Sequence, residues 1–244
     1  MKYNFKNINV NYLKYGEGKD VIVLLHGWGQ NIDMMKPIGD NFIKNYNVII
    51  LDLPGFGQSD EPKEVWNLND YVECIHYLLK ELGVINPILI GHSFGGKLAL
   101  LYSSKYDVKK LVVFASPFKK EIKKISLKTK MLKCAKKIPG LNKLENFAKK
   151  RIGSTDYKNA SDIMRKILVE HVNTDIEEDI KKIKASTLIV WGTLDEAVDV
   201  ERAYELEKLI KDAGVVIYEG CTHYAYLERL GQTKSVLKSF LEGE

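Results

Sequence analysis

Residues 87–101 read Pro-Ile-Leu-Ile-Gly-His-Ser-Phe-Gly-Gly-Lys-Leu-Ala-Leu-Leu. An apolar, β-rich run (Ile88 to Ile90) enters a Gly-x-Ser-x-Gly motif, and a helix-compatible run (Lys97 to Tyr102) leaves it. Strand, motif and helix in that order dictate a sharp strand-to-helix turn with a serine at its apex. Such a turn holds the serine in a strained backbone conformation and pushes its hydroxyl out over the end of the sheet. Gly91 and Gly95, two residues to either side, leave room for the helix to approach the strand. The five-letter pattern arises by chance in many chains, but its strand–helix context is far rarer. Ser93 is the candidate nucleophile.

A parallel sheet is the setting such a turn needs, and the rest of the chain supplies one. Short apolar runs at Asp20–Leu25, Val48–Leu51, Ile88–Ile90, Leu111–Phe114, Thr187–Trp191 and Val215–Tyr218 are continuous rather than alternating. Continuity marks strands buried on both faces, as in a parallel sheet covered by helices. Helical patterns fall between them at Asp33–Asn45, Asn69–Leu82, Phe94–Lys105, Val200–Lys211 and Gly231–Leu241. Asn69 is the expected cap of the second helix and Gly83 its terminator. Tyr3 to Tyr15 alternates polar and apolar positions, which reads as a hairpin strand on the sheet edge.

The rhythm breaks after Ala115-Ser116-Pro117, and about 70 residues pass before Thr187 resumes it. Leu141, Leu144, Ala148 and Ile152 recur there at helical spacing, Ile122, Ile125, Leu132 and Ala135 do so less regularly, and Pro139-Gly140 separates the two groups. A core domain over residues 1–117 and 186–244, with a helical, lysine-rich insertion over 118–185, is the expected organisation. Charge agrees. Phe118 to Ile152 holds thirteen Lys or Arg against Glu121 and Glu145, a local +11 on a chain whose remainder carries −6. A solvated helical face accounts for those lysines; a landing area for an acidic partner, such as a carrier protein or an anionic surface, is the functional alternative. Phe147 and Tyr157 are the only nearby aromatics after Phe118, too few for a nucleic-acid stacking platform.

No run approaches the roughly 18 apolar residues that span a bilayer, and Met1 to Val10 has no apolar signal core, so a cytoplasmic protein without a transmembrane segment is expected. Cys74, Cys134 and Cys221 lack paired spacing and read as reduced thiols rather than a disulfide framework or a zinc site.

A serine hydroxyl needs a base to take its proton and a third group to orient that base. Of five histidines, His92 adjoins Ser93 but points elsewhere on a tight turn, and His76 and His171 read as surface or packing residues. His223, in Gly220-Cys-Thr-His directly after the last strand, lies where a loop overhangs the sheet's C-terminal edge, and is the best base. The loop after Thr187–Trp191 offers Asp195 as the orienting acid, with Glu196 and Asp199 as alternatives. Two backbone N–H groups should meet the developing oxyanion: that of Phe94, after the nucleophile, and that of Trp28 in Leu25-His-Gly-Trp-Gly29. His26 braces that loop.

Together His26-Gly-Trp-Gly29, Asp52-Leu-Pro-Gly-Phe-Gly-Gln-Ser59, Gly91-His-Ser-Phe-Gly-Gly96, Trp191-Gly-Thr-Leu-Asp195 and Gly220-Cys-Thr-His223 resemble the α/β-hydrolase superfamily, in the right order across about 200 residues. The resemblance implies an α/β fold with an eight-stranded, mostly parallel sheet and a helical cap inserted after strand six. It also implies a cofactor- and metal-free serine hydrolase of carboxylic esters or thioesters, with Ser93, Asp195 and His223 as triad. Carrier-protein-linked acyl (thio)esterases, C–C bond hydrolases and cofactor-free haloperoxidase-like esterases share these motifs, as do non-catalytic receptors on the same fold. Two departures stand out: Thr222 where a smaller residue is usual before the histidine, and Val198-Asp199 where a proline is common beyond the acid.

Overall fold

The computed structural model describes residues 1–120 and 160–243. Eight strands form one sheet: β1 (Lys2–Phe5), β2 (Ile8–Tyr15), β3 (Asp20–Leu25), β4 (Tyr46–Leu51), β5 (Ile88–His92), β6 (Lys110–Phe114), β7 (Thr187–Gly192) and β8 (Ala213–Tyr218), in spatial order β1-β2-β4-β3-β5-β6-β7-β8. β1–β2 and β2–β4 pair antiparallel, and every later pair is parallel. The terminal hairpin turns at Lys6 and Asn7, both with positive φ (47° and 62°), a handedness that matches the twist of its strands.

The continuous apolar runs are buried on both sides, as expected. Val23, Leu25, Ile49, Leu51, Leu89, Val113 and Ile189 face one layer. It is built from α2 (Leu68–Glu81), α3 (Phe94–Ser103) and α6 (Glu201–Leu209). Ile22, Leu24, Val48, Ile50, Ile90, Val112 and Val190 face the other, where α1 (Ile32–Gly39) and α8 (Leu230–Glu242) lie. Alternation within each strand thus puts one half of every apolar run into each core, and no strand of the centre presents a polar face. Because β3, β5, β6, β7 and β8 run the same way, the loops after them gather at one edge, the usual ligand edge of an open α/β sheet.

Two helix boundaries differ from expectation. α2 is capped by Asn67, not Asn69: Asn67 Oδ1 accepts from Asn69 N–H at 2.7 Å and Asp70 N–H at 3.3 Å, while Asp70 Oδ2 reaches back to Asn67 N–H at 3.0 Å. This reciprocal box satisfies donors that a cap two residues later would leave orphaned. At the other end Gly83 (φ 69°) and Val84 bond back to the carbonyls of Lys80 and Leu79, so the glycine does end the helix. α1 stops at Gly39 rather than Asn45, because the Ile43 carbonyl is taken by Glu17 N–H (3.1 Å) and the backbone of Gly16–Gly18 lies against residues 43–46.

Most of the lysine-rich segment, with its helical spacings from Ile122 to Ile152 and Cys134, lies outside the described residues. The described part of 118–185 contains α4 (Asp162–Asn173) and α5 (Glu177–Ile180). Ser161 caps α4, its Oγ accepting from Met164 N–H, and the Ile176 N–H donates to the Phe118 carbonyl at 2.9 Å. Cys74 and Cys221 are free and buried, and burial pushes the Cys74 thiol up to about 12.

Asn67→Ala removes the acceptor side of the α2 cap while leaving the core intact. A loss of about 1 kcal/mol is expected, read as a melting temperature lower by about 2–4 °C. Asn69→Ala should shift it by much less.

Candidate active site

Ser93 occupies the junction of β5 and α3 with φ 51° and ψ −113°. A non-glycine residue at positive φ is strained by roughly 1–3 kcal/mol and persists only when its surroundings hold it there. They do: Ser93 N–H donates to the Phe114 carbonyl on β6 (2.9 Å), and the Ser93 carbonyl accepts from Lys97 N–H (2.9 Å). A Cβ on Gly95 would strike the carbonyls of Leu25 and His26, and one on Gly91 would strike the backbone of Gly95 and Gly96. Of residues 87–103 only Ser93 is not buried. The turn exposes that side chain and no other.

The loop after β3 lies against the turn. Gly27 N–H donates to Gln30 Oε1 (3.0 Å) and Gln30 N–H to the Gly27 carbonyl (3.2 Å). The Trp28 N–H has no acceptor among the described residues, and Phe94, as the first residue of α3, has none within its helix. The Trp28 ring meets Phe94 edge-on, with centroids 5.3 Å apart. His26 braces the loop from below: Leu53 N–H donates to its Nε2 (2.9 Å) and its Nδ1 donates to the Gly27 carbonyl (2.7 Å), which fixes the tautomer. Asp52 ties this region to the sheet edge, accepting from Ile32 N–H, Gln58 N–H and Asn11 Nδ2 at 2.8–2.9 Å. A Cβ at Gly57 would run into that carboxylate.

The loops after β7 and β8 bring Asp195 and His223 together. Asp195 Oδ2 accepts from His223 Nδ1 at 2.7 Å; the carboxylate side chain is fully buried and the imidazole 16% exposed. Asp195 Oδ1 accepts from Ala197 N–H (2.8 Å) and Val198 N–H (2.9 Å). A proline at 198 would have no N–H to give, so the missing proline becomes a carboxylate ligand. Glu196 and Asp199 are exposed, and of the three acids Asp195 holds the imidazole. Thr222 is also accounted for: its N–H (3.0 Å) and its hydroxyl both donate to the Glu228 carboxylate at the end of α7 (Ala225–Glu228). The two loops interlock through Leu194 N–H to the Cys221 carbonyl (2.8 Å), at a point where any side chain on Gly192 would collide.

His92 links this pair to the serine turn. Its Nε2 donates to the His223 carbonyl (3.0 Å), and the two rings lie 4.8 Å apart. Preceding Ser93 in the chain, it holds the His223 loop at the turn. Two further residues pack here: Lys97, given no role in the sequence, and His171, expected at the surface or in packing. Lys97, one turn along α3, is 1% exposed and donates from Nζ to the carbonyls of His171 (2.8 Å) and Thr174 (2.6 Å) at the C-terminus of α4. Burial lowers its ammonium to about 8. His171 stacks on Trp28 (6.2 Å, 6° between planes) and packs edge-on against Phe94 (4.5 Å). The visible signal was a lysine inside an otherwise apolar helical run, which asks for a partner.

His223, its Nδ1 held by the buried Asp195 carboxylate, stands on the loop that His92 fastens to the turn of the half-buried Ser93. Comparison with known proteins gives the family. Residues 20–140 match the family model described as alpha/beta hydrolase fold. Lipase 1 of Psychrobacter immobilis is 28% identical over 90% of this chain and 76% of its own. The pimeloyl-[acyl-carrier protein] methyl ester esterase of Pseudoalteromonas atlantica is 28% identical over 84% and 88%. Among solved structures, a membrane phospholipase A described as a bacterial virulence factor superposes with a TM-score of 0.80 at 26% identity, covering 100% of this chain and 85% of that one. The chain belongs to the α/β-hydrolase superfamily. Among the described residues no helix is long and apolar enough to cross a membrane.

Burial, the largest cause for each, lowers His26 to about 4 and His92 to about 3 and holds His171 well below the usual imidazole range. Unfolded, all three would take up a proton near pH 6.5, so unfolding in mild acid binds protons that the native state refuses. Stability is therefore complete above about pH 7 and falls as pH drops from 6.5 toward 4, by about 1.4 kcal/mol per pH unit for each of His26 and His92, with His171 acting in the same direction. Urea midpoints at pH 7.5 and 5.0 should differ accordingly, and equal midpoints would contradict the buried neutral histidines.

Proposed function

We propose that the chain is a serine hydrolase that cleaves a carboxylic ester or thioester through an acyl-Ser93 intermediate. The observation that carries this reading is the buried Asp195–His223 pair, interlocked with the elbow that exposes Ser93. Asp195 keeps the His223 proton on Nδ1 and stabilises the imidazolium. His223 Nε2 takes the Ser93 hydroxyl proton as Oγ attacks the carbonyl carbon, and the carbonyl oxygen becomes an oxyanion facing the Trp28 and Phe94 N–H groups. Collapse breaks the bond to the leaving group, which departs with the proton from His223. Water then attacks the acyl-serine, giving its proton to the same nitrogen, and the second collapse releases the acid and returns the proton to Ser93. Each oxyanion donor is worth about 2.7–4 kcal/mol of barrier.

An ester is favoured as substrate because relatives across most of the chain are named lipases and a methyl ester esterase. Residues 118–185 are assigned as the cap over the acyl site, supported by α4 lying against Trp28 and Phe94 through His171. The acidic partner weighed as the alternative for the lysine-rich segment would meet residues that mostly lie outside the described part.

A fluorophosphonate probe should label the wild type and not Ser93→Ala, and that variant should lose hydrolysis of a short p-nitrophenyl ester by on the order of 10⁴-fold or more. Unchanged hydrolysis would overturn the reading and leave a non-catalytic member of the fold. Asp195→Asn should lower kcat by on the order of 10³–10⁴-fold, because the amide favours the wrong imidazole tautomer. Glu196→Gln and Asp199→Asn should cost less than tenfold, a contrast measurable with the same ester.

A further inference from the structure

Three histidines besides His223 are buried in or around this site, and they are not alike. His26 has both ring nitrogens engaged, with Leu53 N–H and the Gly27 carbonyl. His92 donates from Nε2 to the His223 carbonyl, and its Nδ1 lies 3.3 Å from Gln30 Oε1. Each of the two has a polar contact at both ring nitrogens, and both tie loops of the site together. His171 is 5% exposed, and its buried Nδ1 has no hydrogen-bond partner among the described residues. A folded chain has no stability reason to keep such an atom, since phenylalanine would fill the same space without it.

The position of the ring suggests what completes it. It rests on Trp28 and Phe94, the two residues whose N–H groups are assigned to the carbonyl oxygen. It is held there from the core side, because Lys97 clamps the His171 carbonyl and the Thr174 carbonyl to α3, the helix that Ser93 opens. Burial and the neighbouring Lys97 charge keep the imidazole neutral, so it is unsuited to an anionic group. A hydroxyl both donates and accepts, and so satisfies Nδ1 in either tautomer.

Resting on the serine hydrolase reading above, we propose that His171 is a specificity-determining residue that hydrogen-bonds a hydroxyl group carried by the substrate close to its scissile carbonyl, and that Lys97 is the residue positioning it. The preferred substrates are then hydroxylated esters rather than plain alkanoates. The hydroxyl sits on the acyl or on the alcohol side, and the two are separated by the choice of test esters.

The test compares kcat/KM for ethyl butanoate with ethyl 2-hydroxybutanoate, ethyl 3-hydroxybutanoate and 2-hydroxyethyl butanoate, followed by pH-stat, in the wild type, His171→Phe and His171→Gln. The wild type should prefer at least one hydroxylated ester by about tenfold, the gain of roughly one hydrogen bond. In His171→Phe that ratio should collapse to about one whatever the absolute rate, while His171→Gln, which can still donate and accept, keeps part of it. Fluorophosphonate labelling of Ser93 reports that each variant has a folded site. A wild-type ratio near one for all three esters, or a preference that survives in His171→Phe, overturns the assignment of His171 while leaving the serine hydrolase intact. A wild type that neither labels nor hydrolyses any ester overturns the parent reading and this one with it.

Discussion

Everything at the candidate site depends on one close approach, that of α3 to the ends of β3 and β5. The left-handed backbone at Ser93 is unfavourable for any side chain, and only neighbours that leave no alternative can hold it. Gly91 and Gly95 let helix backbone lie on strand backbone, with Gly95 pressed on the carbonyls of Leu25 and His26. The same contact sets the Trp28 loop beside Phe94, so that strain at the serine and placement of the two N–H groups share one cause. Loss of that approach would relax the turn and misplace the N–H groups together.

Around this contact, the remaining loops are tied to each other more than to the sheet. The Asp195 loop and the His223 loop share the Leu194–Cys221 bond, and Thr222 is held by Glu228. His92 then fastens the combined unit to the elbow. Burial supplies the other half of the design. A fully buried carboxylate must find donors for its oxygens, and Asp195 finds Ala197 N–H, Val198 N–H and His223 Nδ1. A neutral buried imidazole such as His92 donates to a carbonyl without carrying a charge that would repel an imidazolium at His223.

The sheet was legible in the chain because the information is local. Six continuous apolar runs identify six buried strands, and Gly-His-Ser-Phe-Gly identifies the turn. Element ends were less so, because distant residues decide them. α1 ends at Gly39, short of the stretch at 43–46 on which Gly16–Gly18 lies, and α2 is capped by whichever asparagine meets Asp70 in a reciprocal pair, which is Asn67. The two departures from family pattern read as doubts in one dimension and as contacts in three, Val198 donating to Asp195 and Thr222 to Glu228. Lys97 and His171 were least legible. They are 74 residues apart in sequence, and neither has a motif around it, so only the folded chain brings one to the other.

The bond from Ile176 N–H to the Phe118 carbonyl brings residues 118 and 176 together beside the core. Between ends pinned in this way added length is cheap, each doubling of a flexible loop costing only about 0.6 kcal/mol of closure entropy. Its length and composition can therefore drift while the register of β6 beside β7 stays as it is. The Ser93 turn and the Asp195–His223 pair lie on the fixed side of that junction and can outlast many exchanges of the material on the other side. The described helix α4 is beyond the reach of this freedom, because Lys97 anchors its far end to α3.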